Sequence, residues 1–165
     1  MQRLRRAATK GASVSTRSAS KCEHAALEAA LSLSHADLDA GDMMSAREEV
    51  LRWGLDDWVE LDRVHLCVSQ ENAGQPISVI QNKTLELIRS LVSDGMFVLG
   101  DVKRGVGFTA WNTPLDESMQ RIRDVYVTNF EDENTWMWFC WLNATEAGLD
   151  AARALRESQY SARTS

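Results

Sequence analysis

Long apolar runs are absent from this chain. The longest, Trp136 to Leu142, has seven residues, whereas a membrane helix needs about 20, so no membrane contact is expected. Cysteine is scarce too. Cys22, Cys67 and Cys140 form no C-x-x-C pair and are accompanied by only three histidines, which excludes a disulfide scaffold and supplies no zinc-ligand spacing. No glycine-rich phosphate loop, G-x-S-x-G or H-E-x-x-H occurs, so the usual marks of nucleotide binding, serine hydrolysis and zinc proteolysis are missing. His65 and Cys67 do not make a catalytic pair, because two positions along a helix lie about 200° apart around its axis. The carboxylate run Glu131-Asp132-Glu133 falls in an asparagine-bounded stretch and is expected to be a solvated loop. The chain is therefore expected to be non-enzymatic, with no metal and no cofactor.

What is present suffices for a core. The 165 residues are 44% hydrophobic and include six Trp, too apolar for a disordered chain and about the size of one domain. Charge is spread unevenly. Residues 1–21 carry six Arg and Lys and no acid, residues 22–43 carry five acids and no Lys or Arg, and residues 44–165 carry 12 basic and 19 acidic side chains, a net −7. A body of that sign is repelled by phosphate backbones unless it segregates a basic face. Residues 1–21, rich in Arg, Ser, Thr and Ala, have the composition of an organelle transit peptide or of a disordered tail. Met43-Met44-Ser45-Ala46-Arg47-Glu48 looks like a natural beginning, with Ser45 and Glu48 as a capping box. Residues 1–43 are thus expected to be dispensable, and 44–165 to be a single cytoplasmic domain.

Periodicity within 44–165 predicts helices from Ser45 to Trp53, over 57–69 and over 77–93. Asp94-Gly95 should end the third, with Gly95 left-handed. Strands are expected over 96–102 and 106–111, joined by the turn Lys103-Arg104-Gly105. Thr113-Pro114 should open a helix running to about 128. Trp136 to Leu142, apolar on both faces, is expected to be the most buried strand. A last helix is expected over 145–157, capped by Asn143 or Thr145. This order gives an α+β fold, a small three-stranded sheet packed with about five helices.

Two stretches resemble a winged-helix domain. In the first, about 77–102, a long helix passes through Asp94-Gly95 directly into a strand from Phe97. In the second, about 136–150, Trp141-Leu142-Asn143-Ala144-Thr145-Glu146-Ala147-Gly148 is similar to the strand and L-T-x-x-G turn that closes the wing in bacterial regulators. Thr145 and Gly148 match, while Ala144 stands where those families have Leu. The resemblance implies a helix-turn-helix unit with 77–93 as reading helix and 103–105 as wing tip. An ordinary wing joins its strands by a few residues; here 103–134 would be inserted.

Two functional readings follow. In the first, a regulatory protein associates with DNA, as monomer or homodimer. Gln81, Asn82, Lys83 and Arg89 would face bases or phosphates, and Lys103 and Arg104 would grip phosphate. The competing reading of those residues is a solvated mixed-charge helix face and a turn whose charges keep strand edges soluble. In the second, an acidic module of the antitoxin or immunity type holds a basic protein partner. Trp136 and Trp138, on one face of the 136–142 strand with Trp141 on the other, would supply the contact. Convergence of Lys83, Arg89, Lys103, Arg104, Arg121 and Arg123 on one face would favour DNA. Their dispersal, with an exposed Trp beside acids, would favour protein.

Overall fold

The computed structural model describes residues 44–164, so the tail expected over 1–43 lies outside the described residues. The described part is α+β, with six helices and one four-stranded antiparallel sheet. Helix α1 (Ala46–Trp53) opens at Ser45, whose hydroxyl accepts from the Glu48 N–H while the Glu48 carboxylate accepts from the Ser45 N–H, the capping box expected from sequence. Strand β1 (Val59–Glu60), helix α2 (Leu61–Glu71) and helix α3 (Ile77–Ser93) follow. Strands β2 (Phe97–Lys103) and β3 (Gly107–Ala110) form the hairpin. Helix α4 (Leu115–Tyr126), a single turn α5 (Glu133–Trp136), strand β4 (Trp141–Ala144) and helix α6 (Glu146–Arg163) complete the order.

Four expectations are corrected. The helix expected over 57–69 begins only at Leu61, because Val59 and Glu60 pair with Leu142 and Trp141 to make a fourth strand. The strand expected over 136–142 does not exist as such. Its first half is the α5 turn and the bend after it, and only residues 141–144 pair. The α5 turn forms because the Trp136 indole donates to the Phe130 carbonyl (2.9 Å) and the Thr135 hydroxyl donates to Asp132 (2.5 Å), which winds the chain instead of extending it. The carbonyls of Met137 and Cys140 then accept from the first two N–H groups of α2, satisfying donors that a helix start leaves open. Thr113, expected to cap α4, bonds the Ser118 hydroxyl (2.7 Å), and Pro114 takes the cap position. Helix α6 runs six residues past its expected end.

Strand order is β1-β4-β2-β3. In register, Val59 faces Leu142, which faces Leu99, while Phe97 faces Ala144. With period-two alternation, Val59, Phe97, Leu99, Leu142 and Ala144 line the inner face, and the first four are buried in the core. The helices close over them with Val64, Val68, Ile88, Leu91 and Ile122, all essentially inaccessible. Glu60, Val98, Gly100, Phe108 and Trp141 belong to the outer face.

Candidate functional site

Three of the six cations named from sequence, Lys83, Arg89 and Arg121, are engaged by neighbouring side chains. Lys83 on α3 turns back to bond the side-chain oxygen of Asn72, at the α2–α3 connection. Arg89 is paired with Asp116 of α4 at 2.5 Å. Arg123 lines the same shallow groove as Arg89, together with Glu86 and Asp116, so positive and negative charges alternate there. Arg121 lies instead over the Trp111 ring, 4.3 Å from its centroid. Gln81 is only 7% exposed and cannot reach a base edge; Asn82 is exposed. Lys103 and Arg104 stand exposed at the β2–β3 turn, where Gly105 adopts φ +79°. The three ion pairs among the described residues involve neither of them.

The tryptophans separate by role. Trp136, 3% exposed, is core: it stacks on Phe130 (5.3 Å, 15°) and meets Tyr126 and His65. Trp138 is 54% exposed and lies against Trp141 at 5.7 Å. The expectation that Trp136 and Trp138 share a face opposite Trp141 is therefore reversed, because the chain bends between Trp136 and β4. Trp58 precedes β1 at one edge of the sheet, yet its ring meets Phe108 of β3 at the other edge, 6.2 Å between centroids. The Phe108 ring in turn covers Gly100, where any Cβ would lie 2.5 Å from it. Because Gly100 has no side chain, the Phe108 ring leans over β2 toward Trp58, and the two rings span the outer face. Trp58, Phe108, Trp138 and Trp141 together pave that face. Beside them Trp53, Asp57, Trp58, Glu60, Arg63 and Trp141 enclose a cavity of about 210 Å³.

A second cluster is buried and polar at its centre. His65 of α2 sits among the rings of Tyr126, Phe130 and Trp136. Its Nδ1 is 2.5 Å from the Tyr126 hydroxyl and its Nε2 is 3.3 Å from Ser69 Oγ. The Tyr126 hydroxyl also reaches Thr84 of α3, which donates to the Ile80 carbonyl. This chain of hydrogen bonds fastens the α4–α5 segment to α2 and α3. Burial pushes the His65 pKa below its ordinary 6.5, partly offset by Asp62, and pushes the Tyr126 hydroxyl up to about 12. Burial and the neighbouring Glu49 push the Cys67 thiol up to about 12, and burial also raises Cys140. Both thiols stay protonated at neutral pH, the unreactive form.

The His65 shift has a pH consequence. The fold holds His65 neutral, whereas the unfolded chain protonates it near its ordinary value. The stability it contributes is full above about pH 6.5 and is lost as pH falls from there through the lowered folded value. We expect the urea midpoint of the full chain to drop more between about pH 7.5 and about pH 5.5 than that of His65→Gln. Parallel pH profiles for the two proteins would contradict the assignment.

Neither a protein-family model, nor a curated protein, nor a solved structure matches this chain. The sequence missed the contributions of Trp58, Phe108 and Glu60 to the outer face. The signal for Glu60 was a two-residue strand, too short to show alternation. Trp58 and Phe108 come together through strand pairing that sets Phe108 over Gly100, which no local pattern encodes.

Proposed function

We propose that this domain is a non-enzymatic cytoplasmic module that holds a basic protein partner against the outer face of its sheet. One observation carries the reading: the outer face is aromatic, with Trp138 more than half exposed and Asp57 and Glu60 beside the rings, while Lys83, Arg89 and Arg121 are held by neighbouring side chains. Trp is favoured at the energetic centre of interfaces. A net −7 over residues 44–165 speeds encounter with a basic partner and rejects acidic ones. The scaffold we take to be winged-helix-like. Two features support this: the order β1-β4-β2 with α2 and α3 preceding β2, and the Thr145–Gly148 turn after β4. Strand β3 and helices α4 and α5 would then be an insertion into the wing.

The full chain is expected to bind poly-arginine with an affinity that falls as salt rises. Trp138→Ala should weaken that binding about tenfold or more, and the double change Lys103→Ala, Arg104→Ala should leave it unchanged. The second reading, DNA association, is favoured by the unpaired Lys103 and Arg104 at the hairpin tip. It would prevail if poly-arginine failed to bind while duplex DNA bound with a salt slope reduced by the double change.

A further inference from the structure

The cavity beside β1 differs from the rest of the outer face in its chemistry. Trp53, Trp58 and Trp141 supply indole walls, and Asp57 and Glu60 supply two carboxylates. One cation is already present: the Arg63 guanidinium lies over the Trp53 ring, 4.3 Å from its centroid. Yet Arg63 forms no ion pair with either carboxylate; the three ion pairs among the described residues lie elsewhere. One Asp57 oxygen accepts from the Trp58 N–H at 2.7 Å. Glu60 is half-buried, and among the described residues no hydrogen bond or ion pair reaches its carboxylate. Both oxygens of that carboxylate are therefore open to a charge-assisted hydrogen bond from an incoming cation.

We propose that this cavity is a socket for an arginine side chain of the basic partner; the inference rests on the reading of the outer face as a protein-docking surface. The socket takes a planar cation, stacked on indole and hydrogen-bonded to the free Glu60 oxygens. Guanidinium suits both demands. It can lie over a Trp ring, where the Arg63 guanidinium already sits over Trp53, and its N–H fork meets a carboxylate with two parallel bonds. A lysine ammonium satisfies the charge but not the stacking. The cavity, about 210 Å³, accommodates one such head group and its stem, not a folded element.

The test uses the full chain and the peptide acetyl-Gly-Arg-Gly-amide, with binding followed by tryptophan fluorescence. Citrulline and lysine versions of the peptide serve as comparisons, citrulline keeping the shape of arginine and losing its charge. Binding in the order arginine, lysine, citrulline is expected. Glu60→Gln should weaken the arginine peptide about tenfold, the loss of one charged hydrogen-bonding partner, and leave the melting temperature unchanged. Asp57→Asn should weaken it less, since that carboxylate is shared with the Trp58 N–H. Equal binding of citrulline and arginine peptides, or indifference to Glu60→Gln, would overturn the socket. If poly-arginine still bound and still required Trp138, the socket alone would fall. If no basic polypeptide bound, socket and docking face would fall together.

Discussion

Gly148→Ala is expected to unfold the domain or to destabilise it by about 3 kcal/mol or more. A Cβ at position 148 would lie 2.1 Å from the Met96 carbonyl oxygen, and that oxygen is backbone, with no side-chain rotation to relieve the clash. The same carbonyl accepts the Thr145 N–H at 2.9 Å, and the Thr145 hydroxyl contacts the Gly95 and Met96 carbonyls at 2.6 and 3.1 Å. The Gly148 N–H donates back to the Thr145 hydroxyl. These contacts clamp the start of α6 onto the junction of α3 with β2, so moving Gly148 away releases both. Gly95→Ala is the comparison. Gly95 has φ +72° with open space around a Cβ, so only the left-handed backbone cost applies, roughly 1–2 kcal/mol. Urea unfolding of the three proteins checks the order. Equal midpoints for the two variants would contradict the clamp.

Trp136→Ala should cost about 3–5 kcal/mol, and Trp138→Ala no more than about 0.5 kcal/mol. The two tryptophans are two positions apart. One fills the centre of the ring cluster formed by His65, Tyr126 and Phe130, donates from its indole to the Phe130 carbonyl, and so holds α5. The other lies more than half in solvent. Urea midpoints for both variants, with near-ultraviolet circular dichroism of the aromatic bands, separate the roles. A comparable loss of stability in both would mean that Trp138 is also part of the core.

That pair also marks where the sequence stops being legible. The apolar run Trp136 to Leu142 has no polar residue to set a period, and such a run fits a strand or a buried turn equally well. Tertiary contacts decided it: rings from α2 and α4 capture Trp136, and the chain becomes extended only at Trp141, where Glu60 and Gly100 offer pairing partners. Where the period was long, the reading held. Helix α3 spans Ile77–Ser93 as its amphipathic stripe predicts, and Gly95 is left-handed where the sequence places it. The Ser45–Glu48 box is likewise visible because it rests on short-range hydrogen bonds, while for the last helix the sequence leaves Asn143 and Thr145 open and the cap is Thr145. Strand β1 was not. Its two residues pair with a strand more than 80 positions away, and Asp56-Asp57 ahead of it carries the signature of a helix start. The outer face remained hidden for the same reason. Trp58 and Phe108 meet over Gly100, which leaves the space for the Phe108 ring, and Arg89 loses its apparent freedom because α4 brings Asp116 to it.

The most direct measurement is nuclear magnetic resonance of the six indole N–H signals of the full chain, recorded as poly-arginine is added. Docking on the outer face predicts that the signals of Trp58, Trp138 and Trp141 shift together and saturate, while that of Trp136, buried and bonded to the Phe130 carbonyl, stays in place. Unmoved signals for those three, with duplex DNA instead shifting the backbone signals of Asn82, Lys83 and the 103–105 turn, would contradict it and place the working surface on the nucleic-acid side.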